Sequence, residues 1–189
     1  MNSHSKNIEN AFLVVYNTLE NTKKLMEYCD KVAESNGYIS CTPRFLRNNT
    51  DSNVDGWLYN KLFKLYQREE DEELDNKWRN GPIYVLEINF EESPSYYLSK
   101  FEYENINSWQ RGISPSDWWA FYFPTDIKDN RIEFTKLDDI YTVGVPKFSY
   151  KKTYWGLKRT VFKSKDLLEL NSDNVNNNIF DEFNILKGK

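Results

Sequence analysis

One histidine, His4, and two cysteines, Cys29 and Cys41, are all that this 189-residue chain offers of the side chains most used as bases, nucleophiles or soft metal ligands. That scarcity excludes several chemistries. A Ser-His-Asp triad or a Cys-His dyad needs an imidazole held inside a folded framework, and His4 stands at the start of the sequence. Cys29 and Cys41 have eleven residues between them, not the two of a zinc or redox Cys-x-x-Cys motif, and they are expected as reduced thiols. The seven glycines are scattered, so no glycine-rich phosphate loop is present. No metal site and no cofactor is expected from these residues. Long apolar runs are missing too. The longest, Ala11 to Tyr16 and Trp118 to Phe123, fall far short of the roughly 20 residues of a membrane-spanning helix. The N-terminal residues do not resemble a signal-peptide core, and a cytoplasmic location is the expectation.

What the chain does have is aromatic residues and charge. Aromatics make up 16% and charged residues 29%, with 25 Lys and Arg against 29 Asp and Glu for a net charge of −4. This aromatic content supplies enough burial to exclude an acidic disordered chain, and the length suits a single domain over 1–189. The 22 asparagines, with abundant Lys, Ile and Tyr, are a composition associated with AT-rich genomes, phages among them.

Periodicity predicts a helix over 7–35, with Ile8, Phe12, Val15 and Leu19, then Met26, Cys29 and Val32, at three- and four-residue steps and a break near Asn21-Thr22. Asn36-Gly37 supplies its stop. A second amphipathic helix is expected from Asp55 to Glu70, with Trp57, Leu58, Leu62, Leu65 and Tyr66 inward. After the Asn80-Gly81-Pro82 turn the period becomes two. Ile83 to Glu91 places Tyr84, Leu86, Ile88 and Phe90 on one face. Further strands are expected over 96–103, 117–123, 131–136, 140–145 and 153–162, and a short helix after Ser172-Asp173. The fold class is therefore α+β: N-terminal helices, a mainly antiparallel sheet and a short C-terminal helix.

Three features suggest function. Residues 69–75 hold Glu69, Glu70, Asp71, Glu72, Glu73 and Asp75, a solvated run or an electrostatic docking surface. Between Asp139 and Asp166 no acid occurs, while lysines and Arg159 alternate with aromatics. Lys151, Lys152, Trp155, Lys158 and Arg159 are candidates for an anionic ligand, a nucleotide or nucleic acid, unless the lysines are simply the wet face of a sheet. The third is the segment from 108 to 123, where Trp109, Arg111, Trp118 and Trp119 are residue types enriched at binding hot spots. If Trp118 and Trp119 lie on a strand they point to opposite faces, so one leaves the main core. Asp55 and Glu87 faintly echo the paired acids of metal-dependent nucleases, but Asn89 stands where that pattern has lysine.

The reading these features favour is a non-catalytic protein that occupies a protein partner, in the manner of an inhibitor or immunity protein. A nucleotide or nucleic-acid binder is the second reading and a metal-dependent phosphodiesterase the third.

Overall fold

The computed structural model describes residues 3–48, 57–91, 93–110 and 114–189. A single long helix, α1, runs unbroken from Ser3 to Ser35. The break expected near Asn21-Thr22 is absent. Thr18 and Thr22 turn their hydroxyls back to Val14 O and Thr18 O, at 2.9 and 2.8 Å, so the polar residues are absorbed within the helix. Gly37, in the left-handed region at φ 73°, ends it and leads into the sheet.

Among the described residues eight strands form one antiparallel sheet: β1 (Tyr38–Ser40), β2 (Leu46–Arg47), β3 (Lys61–Arg68), β4 (Ile83–Asn89), β5 (Ser95–Tyr103), β6 (Ile132–Lys136), β7 (Thr142–Pro146) and β8 (Leu157–Asp166). Their order is β1-β3-β4-β5-β8-β7-β6, with β2 also beside β3. The α+β class is thus observed, but two elements differ from expectation. Where a helix is expected over 55–70, the described part is a turn at 57–59 followed by β3. Lys61 to Gln67 are all buried, so apolar residues appear on both faces and the period-two signature is lost. The strand expected over 117–123 is a short helix, α2 (Trp119–Tyr122), running into a 3-10 turn at Phe123–Thr125.

Each face of the sheet carries its own core. On the first, Tyr66, Tyr84, Leu86, Ile88, Tyr96 and Leu98 meet Met26, Cys29 and Ala33 of α1 and Phe180, Phe183 and Leu186 from the C-terminal turn and helix α3 (Asp181–Lys187). On the second, Phe63, Leu65, Ile83, Val85 and Phe101 are covered by the connection from β5 to β6, which contributes Trp109, Ala120 and Phe121. That cover presses on β7 at Gly144, where a Cβ would stand 2.9 Å from the Pro124 carbonyl oxygen and 2.8 Å from the Phe134 ring.

Candidate functional site

The second face is only partly covered, and what the cover leaves open is a cleft of about 630 Å³. Strand register sets its floor. One row across the sheet places Glu87 of β4 beside Tyr97 of β5, and Tyr97 beside Ser164 of β8. The next row is Lys61, Asn89, Ser95 and Asp166. Tyr122, Thr125 and Asp126, from α2 and the 3-10 turn after it, wall one side, and Thr142 and Lys136 line the other.

Glu87 is the unusual residue of the cleft. Ile83 and Val85, which precede it on the same face of β4, are core, and Glu87 itself is only 2% exposed. Burial pushes its carboxyl up to about 8, against the Lys61 charge and the Thr125 hydroxyl; Glu91 and Asp126 push the same way as burial. Lys61, the cation opposing that shift, is ion-paired with Glu91 and stands 4.1 Å over the Tyr122 ring.

The sequence-predicted tryptophan segment is largely interior. Trp109 is buried, edge-on to Trp78 and Tyr103, and its indole N–H donates to Trp155 O at 3.2 Å. It presents no open ring to a partner. Trp118 and Trp119 are half-buried, Trp118 capping α2 and Trp119 opening it; neither is on a strand, so the opposite-face argument does not apply. Trp118 stacks near Phe63, Tyr122 and Phe123, and Trp119 near Tyr154. Arg111 and Asp55 lie outside the described residues.

The acid-free stretch is free of acids only along the chain. Lys151 meets Glu104 at 2.7 Å and Arg159 meets Glu102 at 2.8 Å, both acids from the end of β5. Lys163 pairs with Glu182 of α3. Lys152 and Lys158 are exposed, and Trp155 is half-buried in the second core. In the acidic run Glu69, Glu70, Glu72 and Glu73 are exposed and Asp71 is half-buried. Glu70 is tied to Arg68 and Lys187 at 3.1 and 2.7 Å, and Glu73 to Lys77 at 3.2 Å.

A surface that the sequence did not single out as a site is the first half of α1. Every residue from His4 to Thr18 is exposed, including Ile8, Phe12, Leu13, Val14, Val15 and Tyr16. A single stripe runs the length of the helix at alternating four- and three-residue steps: Ile8, Phe12, Val15, Leu19, Thr22, Met26, Cys29, Ala33. Its last four members are buried on the sheet, at 7%, 0%, 0% and 0% exposure; Phe12 is 71% exposed. The periodicity was visible in the sequence. That the sheet stops beneath residue 22 was not.

Among the described residues no three His, Cys, Asp or Glu side chains come together as metal ligands would, and no helix is long and apolar enough to cross a membrane. No protein-family model matches the chain, and no curated protein and no solved structure is detectably similar to it.

Proposed function

We propose that the protein is a non-catalytic binding protein whose docking element is the projecting half of α1, and that its partner presents an amphipathic helix with an apolar heptad seam. The observation that carries this reading is the stripe: one seam, buried from Thr22 to Ala33 and half-buried at Leu19, continues uncovered through Val15, Phe12 and Ile8. Its four-three spacing is the knobs-into-holes repeat, which selects a second helix over a flat or polar surface. On one flank of the seam Ala11 and Thr18 are small, so a partner helix can approach closely there; Glu9 and Tyr16 stand on the other. Asn10 and Asn17 lie on the opposite side of the helix, about 200° from the seam, and stay in water. An isolated helix of this length is marginal in water, and its Val14 and Val15 are poor helix formers, so docking also stabilises the segment.

The acidic run has a different part in this reading. Glu69 N–H bonds Gly37 O at 2.9 Å, which places the run at the far end of α1. That is about 35 Å along the axis from Phe12 at 1.5 Å per residue. At that distance from the seam, the part the acidic run plays in this reading is to steer a basic partner, with the seam as its anchor. This is the electrostatic element an inhibitor-type protein needs. Cys29 and Cys41 are free thiols, and burial with the Asp30 charge pushes Cys29 up to about 12.

Site-specific photo-crosslinking in cells tests the proposal, with the photoreactive residue placed at Phe12, at Val15 or at Asn10. Adducts to a different protein at the first two positions and none at Asn10 are the expected outcome. Equal labelling at all three positions, or no adduct at the seam, contradicts it. Adducts containing only two copies of this chain reduce the function to self-association and overturn the inhibitor-type reading.

A further inference from the structure

Where α1 meets the edge of the sheet, its residues 19–30 face β2 and β3 across a cavity of about 350 Å³. We propose that this cavity is a binding site for a small organic anion with an apolar body, its carboxylate held by Arg47 and Arg44. Only Leu19 is shared with the seam, and the proposal does not depend on what docks there.

Charge selects the sign of the ligand. Four cations line the cavity, Lys23, Arg44, Arg47 and Lys64, against two acids, Glu27 and Asp30. Both acids are matched within the lining, Glu27 by Lys23 at 3.5 Å and Asp30 by Lys64 at 2.7 Å. Lys64 is further engaged by Thr42 O at 3.0 Å. Setting those two pairs aside leaves Arg44 and Arg47, and among the described residues neither meets a carboxylate. A cation entering the cavity is repelled by two uncompensated guanidiniums, and an anion is drawn by both.

Arg47 is arranged for a forked acceptor. Its guanidinium carbon stands 4.5 Å from the Tyr59 ring centroid, so the ring takes one face and the N–H edge is left for a ligand. Its Nε–H is buried and has no hydrogen-bond partner. A buried donor without an acceptor is costly, and a carboxylate at the fork supplies one, together with a second bond from the adjacent terminal nitrogen. Arg44, exposed at the rim, adds the second charge.

The remaining wall selects the body of the ligand. Leu19, Pro43, Phe45, Tyr59 and Leu62 line it, and Phe45 and Tyr59 are half-buried against the first core. Acetate or inorganic phosphate satisfies the arginines and leaves this apolar surface wet. An alcohol covers the surface and leaves Arg47 without its anion. A carboxylate on a short aliphatic or aromatic body does both. The volume, at the lower end of small-molecule sites, fits a body of that size.

Titration of the full chain with sodium hexanoate, followed by backbone and arginine Nε–H NMR shifts, tests the site. At matched ionic strength, 1-hexanol and hexylammonium chloride are the uncharged and cationic counterparts. Hexanoate should give saturable shifts at Phe45, Leu62 and the Arg47 Nε–H. Hexanol should bind at least about tenfold more weakly, and hexylammonium should give no saturable shift. Acetate, which lacks the body, should also bind at least about tenfold more weakly. An Arg44→Met, Arg47→Met double variant should lose at least about tenfold in hexanoate affinity, and Phe12→Asp should leave it unchanged. Hexanol or hexylammonium binding as tightly as hexanoate, no saturable shift at the cavity, or a double variant that binds like the parent would each overturn the proposal. The comparison of probes on the unaltered chain decides the matter even if the double variant folds poorly.

Discussion

Two glutamates show how position on the sheet sets the sign of a charge's contribution. Glu87 is raised from 4.5 to about 8, chiefly by burial. The folded state then holds a proton that the unfolded chain has released, so stability falls as pH rises from about 4.5 to 8. Glu87→Gln removes that loss. The variant is expected to match the parent near pH 4 and to exceed it by roughly 2–4 kcal/mol at pH 8, read from denaturant midpoints. Glu102 is the opposite case. Burial alone would raise its carboxyl, but hydrogen bonds from Arg159 and Lys100 hold it at about 2. Its contribution is present above about pH 4.5 and is lost as pH falls toward 2, so Glu102→Gln should cost about 1–2 kcal/mol at pH 7 and almost nothing at pH 2. Neither sign could be assigned from the sequence, where both are glutamates on alternating strands. What distinguishes them is the topology: β8 carries Arg159 to Glu102, while the row containing Glu87 offers Phe63 and Tyr97.

At the scale of elements, α1 is two helices in energetic terms. Its C-terminal half is clamped, with Asp30 accepting from Lys64 Nζ at 2.7 Å and from the Tyr66 hydroxyl at 3.0 Å. Lys64 is 1% exposed, so Asp30→Ala leaves a buried ammonium without its anion. Thermal or denaturant unfolding should show a loss of about 3 kcal/mol. In the N-terminal half, residues 4–18 are all exposed. In the free chain, amides of residues 4–18 should exchange with deuterium at least about a hundredfold faster than those of 26–33, and binding of a partner should slow them selectively.

The elements also show which parts of the fold were legible. The α1 stripe, the alternation of β4 and the closing helix each have one clear period, and the sequence displays it. In β3 the period is hidden, because a strand buried on both faces shows no polar side. Six consecutive apolar residues, Trp118 to Phe123, have no period of any kind, and their helix is decided by packing Ala120 and Phe121 beneath the cover. The candidate cleft was partly legible. Glu87 stood out as an acid on a strand, yet Tyr97, Thr125 and Asp126 come to it only through pairing and the cover.

At the scale of the molecule, the two-faced sheet divides the labour. One face seats α1 and lets it project; the other holds a covered core and an open cleft. The net charge of −4 hides an acidic run beside Gly37 and a basic stretch whose Lys151, Arg159 and Lys163 are matched by acids from β5 and α3. In the acidic run Glu70 and Glu73 are likewise ion-paired, so steering falls chiefly to Glu69 and Glu72, and its effect belongs in the association rate and its salt dependence. Affinity rests on the seam. The most direct measurement is calorimetric titration of the crosslink-identified partner with the parent chain and with a Phe12→Asp, Val15→Asp double variant. We expect affinity to fall at least about 100-fold, as loss of two hot-spot side chains would give, with the melting temperature unchanged because both residues lie beyond the sheet. Affinities within twofold of each other, with both proteins folded, would contradict docking through the projecting half of α1.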